Sequence, residues 1–590
     1  MLKRLLCTLA VLTLLCGLIP AAGAEETVTF SYWIPRNEDT SYYDNYRQNP
    51  VIQYLLGTRT YAGKKLELEF KAGIPGSERD NFSNMLSTES LTDVFNLAYC
   101  DYTPETLLKD GYIMDLTDLI PQYMPNYMNL IENDPELASF AYSYVDGEPR
   151  LLTIMALDEV PADPFEGYMY RRDWLAKYGT NPVTGEAFTG GFDAEGKWSD
   201  NVVFPSGGDY PVYISDWEWM FGIFTKAMED LGIKNSYCIS IYYQGYMQVG
   251  DLNCAFGGGS PLWYKKQDGT VGFDATEEAM RAYIQCMNTW YNNGWLDKAF
   301  AQRSSDMFYS IDSTAVHQGK VPMWQGRQAE TGNQMDMHDG GLTEGIWVCG
   351  APQPINDLYG DDSVKNVQPY AFYAYARSND GVAINRKADK ENLPVLLAFL
   401  DELYSFEGAN LAAVGFSKQD MEAMDHDTPW YQLMAKFGLE NGLYELIEED
   451  GEKYLYHTEQ VDTLLANAMM LNRTVKYRYV GHFRYSENFR PGFLQEAIRL
   501  WKLYPCTGYL QSNVSNLISA KDNSKLSKIK NNISTYMAQT VPKFIMGQKG
   551  FDINNDKDWQ NYCKTITKYG ADKVSDMYQK ALDILARRSP

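Results

Sequence analysis

Aromatic side chains are the residues of this sequence whose type and clustering point most directly to chemistry. They make up 14% of the 590 residues, with 44 tyrosines and 13 tryptophans, more than a hydrophobic core alone requires. Several cluster outside regular secondary structure, at Tyr32-Trp33, Tyr99 to Tyr102, Tyr242 to Tyr246 and Trp263-Tyr264. Flat rings with a polar edge stack on the apolar faces of sugar rings, while their hydroxyl or indole N–H groups form hydrogen bonds at the rim. The clusters therefore indicate sugar binding.

Catalytic motifs do not accompany these clusters. The sequence contains no Gly-x-Ser-x-Gly elbow, no Gly-x-x-x-x-Gly-Lys-Ser/Thr loop and no His-Glu-x-x-His helix. A pair of carboxylates for glycoside hydrolysis stays an open alternative, because a chain with 77 acidic residues always offers pairs. The sequence singles out none of these pairs. No cofactor is predicted.

Metal-ligating patterns are equally weak. The five histidines are far apart, and Asp336 with His338 is the nearest approach to a ligand pair, which we interpret as a polar loop. Asp552 to Asp556 matches the first acidic positions of a calcium loop, but Lys557 and Cys563 replace its glycine and final glutamate. The better interpretation is a helix-capping turn before Trp559, so no metal site is predicted.

The charge balance bears on possible partners. With 52 basic and 77 acidic residues the net charge is −25, so nucleic acid and anionic membrane surfaces face long-range repulsion. The content of 45% hydrophobic and 22% charged residues is that of an ordinary soluble globular protein.

The N-terminus has the features of a secretory signal peptide, residues 1–24. Lys3-Arg4 is followed by an apolar run from Leu5 to Ile19 and by Ala22-Gly23-Ala24. Cys16 raises a lipid-anchored alternative, which is less favoured because two leucines precede it where small residues are usual. We expect the mature protein outside the cytoplasmic membrane. Its seven cysteines are odd in number and form no Cys-x-x-Cys, so most are interpreted as buried apolar residues.

Hydrophobic patterning predicts an α/β architecture. Strands are predicted at Val28 to Trp33, Lys64 to Lys71 and Asp93 to Leu97, with a helix around Val51 to Leu56 and another after Thr103-Pro104. This alternation favours a largely parallel sheet.

Later segments repeat these signals. Asp216 is predicted to cap a helix, Asp274 with Glu277 to form a capping box before a helix ending at Gly294, and Asn392 to precede another helix. Gly381 to Ile384 is predicted as a buried strand, and the last 90 residues as mainly helical. Segments 180–211 and 352–370 are predicted as insertions.

Blocks spread along the chain resemble extracellular solute-binding protein family 1, the sugar-binding receptors of ABC importers, in the long form common in Gram-positive bacteria. The similar blocks are Asp93-Val94-Phe95, Leu107 to Leu116, Gly167 to Leu175 with Lys177-Tyr178-Gly179, Asp216 to Trp219, Ala255-Phe256-Gly257, Trp290-Tyr291 with Gly294 to Asp297, Gly319 to Trp324, and Leu403-Tyr404-Ser405. They follow the family's order. The poor lipobox and the two insertions depart from the commonest pattern.

The resemblance implies a two-lobe, periplasmic-binding-protein-like fold (type II, maltose-binding-protein-like) with a hinge and an interlobe cleft. It implies an N-terminal lobe of 25–155 with about 380–470, and a C-terminal lobe of 165–376 with part of 471–590. The chain would cross near 152–168 and 376–384. The implied partners are a sugar or oligosaccharide and the permease subunits, and a monomer is expected.

The resemblance also implies ligand contacts from four segments. On this sequence those positions are Trp33, Asn37, Tyr99, Asp101, Tyr102, Tyr170, Arg171, Trp324 and Arg327. The residues themselves support one segment, because Tyr99 to Tyr102 precede a capped helix start, where backbone N–H groups point at a ligand. Trp33 and Trp324 have a competing role as core residues, and Arg171 and Arg172 as partners of acidic residues.

Two functions follow. The first is a secreted protein that binds an oligosaccharide and delivers it to an ABC permease without chemical change. The alternative is a secreted carbohydrate-active enzyme, a glycosidase or lyase, with two carboxylates in an aromatic cleft. The absence of a catalytic motif favours the first. An acidic sugar would need a basic pocket, for which Arg171, Arg172 and Arg327 are the candidates.

Overall fold

A computed structural model describes residues 26–588, except 36–40, 162, 165, 241–245, 247–250, 260–261, 303–314, 317, 328–345, 370–377, 379, 459–462, 480–483, 486–491, 505–507, 509, 511 and 516. The predicted signal peptide, Asn37, and the pair Asp336 and His338 lie outside the described residues. Within the part of the chain that is described, no helix combines the length and the apolarity needed to cross a membrane.

The chain divides into two compact units, each discontinuous in sequence. Unit 1 comprises Met1–Leu157, Asp380–Leu446 and His457–Tyr479. Unit 2 comprises Asp158–Asn379, Ile447–Tyr456 and Val480–Pro590.

The strands, in chain order, are β1 (Thr27–Ile34), β2 (Lys65–Ala72), β3 (Val94–Asn96), β4 (Ser143–Val145), β5 (Glu148–Arg150), β6 (Ile154–Met155), β7 (Leu157–Asp158), β8 (Glu166–Arg171), β9 (Gly190–Phe192), β10 (Trp198–Asp200), β11 (Ile239–Ser240), β12 (Trp263–Lys265), β13 (Val271–Phe273), β14 (Met323–Arg327), β15 (Val348–Ala351), β16 (Gly381–Ile384), β17 (Tyr444–Glu449), β18 (Glu452–His457), β19 (Tyr477–Arg478) and β20 (Arg484–Tyr485).

The α-helices are α1 (Pro50–Thr58), α2 (Glu78–Ser87), α3 (Pro104–Lys109), α4 (Ile120–Tyr123), α5 (Pro125–Asn133), α6 (Pro135–Ala141), α7 (Arg172–Tyr178), α8 (Ile214–Asp230), α9 (Glu278–Asn293), α10 (Leu393–Glu402), α11 (Phe406–Val414), α12 (Lys418–Ala423), α13 (Pro429–Lys436), α14 (Thr463–Met469), α15 (Gly492–Trp501), α16 (Ser512–Ser515), α17 (Ala520–Ile545), α18 (Asp556–Tyr569) and α19 (Ala571–Arg588). Short 3₁₀ turns occur at Tyr46–Gln48, Leu252–Phe256, Asp274–Thr276 and Phe300–Gln302.

The sheet of unit 1 is built on the three predicted N-terminal strands. Its order among the described strands is β2-β1-β3-β16-β6. β1 pairs in parallel with β2 over its whole length and with β3 near its end, which confirms the predicted parallel core of the sheet. β16 runs antiparallel to both β3 and β6, so the sheet is mixed rather than largely parallel.

The predicted helix starts are mostly confirmed. The Thr103 side chain accepts the Thr106 N–H ahead of α3, and Asn392 precedes α10. Asp216 caps α8 as predicted, but from the third position of the helix, where its carboxylate accepts the N–H of Tyr213, the residue before the helix. From there its buried carboxylate accepts the N–H groups of Ser206, Val212 and Tyr213 at 2.8–3.0 Å.

The capping box predicted before α9 is wrong. Asp274 begins a separate 3₁₀ turn, and Glu277 precedes the helix without a side-chain capping bond. The helix itself ends at Gly294, as predicted.

Unit 2 has a sheet of order β11-β14-β8-β15 among its described strands, with β8 antiparallel to both neighbours. Its core runs from α8 and α9 to the C-terminal helices, because Trp217 and Trp290 belong to the same buried cluster as Met537 and Ile566. The predicted helical C-terminal region is thereby confirmed. The predicted insertion 180–211 contains the β9–β10 hairpin.

Candidate functional site

The parallel strands β1, β2 and β3 end at the same edge of the unit 1 sheet, which is its carboxyl edge. Ligands of open α/β sheets bind outside this edge. The ends of β1 and β2 lie close together, because the Gly73 N–H donates to the Ile34 carbonyl at 3.1 Å. A Cβ at Gly73 would lie 2.3 Å from the Pro35 carbonyl oxygen. Only glycine therefore permits this approach.

Trp33 is placed inside the unit 1 core. It is 1% exposed, and its indole N–H donates to the Asn81 side-chain oxygen at 3.1 Å. Its ring packs against Phe82, with the ring centroids 5.4 Å apart. Trp33 thus ties the end of β1 to α2, beneath the predicted contact surface.

The loop after β3 carries the exposed members of the predicted site. Tyr102 is 53% exposed, and Asp101 forms an ion pair with Arg79 at the surface. Tyr99 is half-buried and packs against the core that contains Trp33. The loop after β2 presents Ile74, which is 64% exposed. A phenol ring, an ion pair and an alkyl side chain are thus offered to solvent at this edge.

Sequence reasoning missed a polar pair beneath that loop, formed by the buried Asn96 and the partly buried Asp380. Asn96, the last residue of β3, donates its amide to the Asp380 carboxylate at 2.5 Å and accepts the Ala98 N–H at 2.8 Å. Burial raises the pKa of Asp380, although the bonds from Asn96 and from the Gly381 N–H oppose this. Asn96 therefore fixes the start of the loop that carries Tyr99 to Tyr102. The sequence feature that could have revealed this pair is an asparagine at the end of a strand of otherwise apolar residues.

In unit 2 the predicted residues of β8 are buried. The Tyr170 hydroxyl accepts a hydrogen bond from Arg172 at 3.2 Å, and burial raises its pKa. Arg171 is 2% exposed and binds Asp173 through two hydrogen bonds of 2.8 and 2.6 Å, with its guanidinium 4.9 Å from the ring centre of Trp174. Arg171 and Arg172 therefore both form their hydrogen bonds inside unit 2.

The two predicted residues of β14 lie at different places along that strand. Trp324 is buried in a core cluster with Met169 and Trp501. Arg327 ends the strand, with its backbone opposite Glu166. The side chain of Arg327 lies outside the described part of the structure.

Helix α15 explains why β8 is buried on both faces. The Trp501 indole N–H donates to the Tyr168 carbonyl at 3.0 Å. A Cβ at Gly167 would lie 2.3 Å from the Trp501 ring. Glycine at this position therefore lets α15 lie directly on the strand.

A pocket of about 390 Å³ opens at the end of β8 that carries Tyr170, next to Arg172 at the start of α7. We call it the tryptophan pocket, and its lining includes Tyr170, Arg172, Trp198, Tyr210, Trp347 and Phe493. Arg172 donates to both carboxylate oxygens of Asp200 at 2.7 and 2.8 Å. Burial would raise the pKa of Asp200, but the bonds from Arg172 and Trp198 outweigh it and hold the pKa below its ordinary value.

No group of three His, Cys, Asp or Glu side chains is placed to hold a metal ion within the described ranges. The segment Asp552 to Asp556 forms the predicted capping turn, because the Asn555 side chain accepts the N–H groups of Lys557 and Asp558 at the start of α18. The cysteines that the structure describes are free thiols, and Cys506 lies outside it.

No protein-family model matches the chain, and no curated protein matches it. In three dimensions it is similar to solved structures of binding proteins, at low sequence identity. An extracellular solute-binding protein from Bifidobacterium longum subsp. infantis has a TM-score of 0.62 at 14% identity, with 96% of this chain and 99% of that chain covered. The substrate-binding protein FusA of an S. pneumoniae ABC transporter, in complex with kestose, has a TM-score of 0.59 at 16% identity, with 95% and 99% covered.

The alginate-binding protein AlgQ2 has a TM-score of 0.61 at 15% identity, again with 95% and 99% covered. All three are named as binding proteins. The chain therefore has the two-lobe α/β fold of the solute-binding proteins, and the fold prediction is confirmed.

Proposed function

We propose that the protein is the extracytoplasmic carbohydrate-binding component of an ABC importer, of the family 1 type, and that it delivers an oligosaccharide to the permease. The likeness in fold runs over 94% or more of the chain, and the neighbours include proteins named for alginate and for kestose. The support for sugar in this chain comes from its own aromatic residues.

The observation that carries the proposal is the exposed surface at the carboxyl edge of the unit 1 sheet. Tyr102 offers a ring face and a hydroxyl, while Arg79 and Asp101 offer a donor and an acceptor whose charges cancel. A ring beside neutralised polar groups suits a hydroxyl-rich ligand.

Among the predicted contacts, we keep direct binding for Tyr99, Asp101 and Tyr102. Asn37 and Arg327 stay predictions, and we retain them as proposed contacts. Trp33, Tyr170, Arg171 and Trp324 are buried, so we propose that they position the binding residues rather than touch the ligand.

Calorimetric titration with a panel of neutral and acidic oligosaccharides tests the proposal. We expect one class to bind, and Tyr102→Ala to weaken that binding about tenfold, which corresponds to about 1.4 kcal/mol. Tyr569→Ala is the matched control, because it removes a comparably exposed tyrosine from the end of α18. Analysis of the ligand after incubation completes the test. Recovery of intact sugar agrees with a receptor, whereas cleaved sugar would establish the enzyme alternative.

We also propose export through residues 1–24. N-terminal sequencing of the protein recovered from the cell envelope or medium should begin at Glu25. A blocked N-terminus at Cys16 would instead establish a lipid anchor. Loss of oligosaccharide uptake on deletion of the gene, with uptake of an unrelated sugar retained, would support delivery to a permease.

A further inference from the structure

We propose that the tryptophan pocket of unit 2 binds one neutral sugar unit, with Trp198 and Trp347 as the stacking surface and Asp209 and Tyr210 as hydrogen-bond partners. The choice of a sugar rests on the proposed function, and the pocket adds a second place on the protein at which a glycan is held.

The ring geometry favours a flat ligand. The indoles of Trp198 and Trp347 lie 5.9 Å apart between centroids, with their planes only 8° apart. Phe493 meets Trp347 edge-on at 74°. The two indoles are therefore stacked on one another, with Phe192 edge-on against both. Trp198, Trp347 and Phe493 are all partly exposed. Such a surface matches the apolar face of a pyranose ring, which aromatic side chains bind by stacking.

Two ion pairs and one unpaired carboxylate make up the charged groups of the pocket. Arg172 is neutralised by Asp200, and Glu496 is held by two hydrogen bonds from Arg499, which also lies over the Tyr210 ring. Asp209 is exposed and Tyr210 is partly exposed, and neither the Asp209 carboxylate nor the Tyr210 hydroxyl has a hydrogen-bond partner among the described residues. These two groups are therefore available to the hydroxyls of a ligand.

The excess carboxylate argues against an anionic ligand, and the ring geometry argues against a quaternary ammonium ion. An anion would meet the Asp209 carboxylate without an unpaired cation to receive it, because the arginines at the pocket are paired with carboxylates. A quaternary ammonium ion is bound by rings that enclose it on several sides, whereas the two indoles here lie parallel. The volume of about 390 Å³ is that of a small ligand site.

The experiment measures binding of neutral disaccharides, glucuronate and choline to the full chain and to single variants. Tyr210→Ala is the primary variant, because the partly exposed Tyr210 lies on the wall of the pocket. Trp347→Leu is the second, since it removes one member of the stacked pair. Tyr569→Ala is the distant control, and Tyr102→Ala removes the ring at the unit 1 sheet edge. Quenching of tryptophan fluorescence on addition of sugar is recorded for each protein.

We expect a neutral disaccharide to quench the fluorescence, Tyr210→Ala to weaken binding at least fivefold, and Trp347→Leu to remove most of the quenching. Asp209→Asn should weaken binding only two- to threefold, because an amide still forms hydrogen bonds with hydroxyls. Thermal unfolding of each variant without ligand shows whether it is folded.

Sugar binding that Tyr102→Ala weakens and both pocket variants leave intact would overturn the pocket proposal while the proposed function stands. Binding of choline or glucuronate alone, lost in Tyr210→Ala, would overturn the choice of a neutral sugar. A wild-type protein that binds none of the sugars would overturn both proposals.

Discussion

The carboxyl edge of the unit 1 sheet and strand β8 of unit 2 carry similar residues but present them in opposite ways. Both segments combine tyrosines with a charged residue, at Tyr99 to Tyr102 and at Tyr168 to Arg171. The first follows the end of a strand and exposes Tyr102, while the second lies within a strand that is paired on both sides and is buried throughout. An aromatic cluster thus offers binding groups only where the backbone leaves the sheet.

The largest expected difference between the two regions is in how much their ion pairs contribute to the free energy of unfolding. Asp173→Ala leaves Arg171 charged, buried and unpaired, and should lower the free energy of unfolding by about 3–5 kcal/mol. Asp101→Ala breaks the exposed pair with Arg79 and should cost about 0–1 kcal/mol. Urea unfolding followed by tryptophan fluorescence measures both. Equal losses would contradict the difference in burial.

Packing on β8 gives the next largest effect. Gly167→Ala places a methyl group against the Trp501 ring and should cost about 1–3 kcal/mol, because α15 cannot move away without losing its contacts with the strand. Gly222→Ala, at an open position on α8, should instead gain about 0.5–1 kcal/mol. Thermal unfolding of the two variants should therefore move the midpoint in opposite directions.

Two partly buried carboxylates, one in each unit, should contribute to stability with opposite pH dependence. Asp200 has a lowered pKa in the folded protein, so its stabilisation is present above about pH 4 and is lost as the pH falls through the folded value. Asp200→Asn should cost about 1–3 kcal/mol at pH 7 and less at pH 3.

Asp380 has a raised pKa, so its contribution is greatest at low pH and is lost as the pH rises through the folded value. Asp380→Asn should therefore cost less at pH 7 than Asp200→Asn. Urea unfolding between pH 3 and 7 measures both profiles. A parallel pH dependence for the two variants would count against these pKa directions.

Local sequence patterns were sufficient to predict most of the helices and strands. They were insufficient to predict which residues are buried and which form exposed surfaces. The β1 pattern and the Thr103-Pro104 cap depend on neighbouring residues, and both appear where they were predicted. The burial of β8 depends instead on Trp501, which lies 333 residues from its bonding partner Tyr168. No local pattern around Tyr170 reports that contact. Asp216 caps α8 through the local N–H of Tyr213, but its second role, accepting the N–H of Ser206 ten residues earlier, is likewise not reported by a local pattern.

The same limit applies to the candidate binding surfaces. The tryptophan pocket joins the β9–β10 hairpin, β15 and α15, which are far apart in sequence, so its rings could not be grouped from the sequence. The exposed loop position of Tyr102 could be predicted, because the loop after β3 follows from a strand pattern and a cap that are both local.

The position of β16 in the unit 1 sheet determines when that sheet can be completed during synthesis of the chain. β16 lies between β3 and β6, so the sheet stays open until residue 381 has left the ribosome. At about 5–20 residues per second, the 226 residues that separate Met155 from Gly381 delay that moment by roughly 10–45 s. During this interval β3 and β6 have unpaired edges. A chaperone that binds exposed strands would bind the incomplete sheet at these edges.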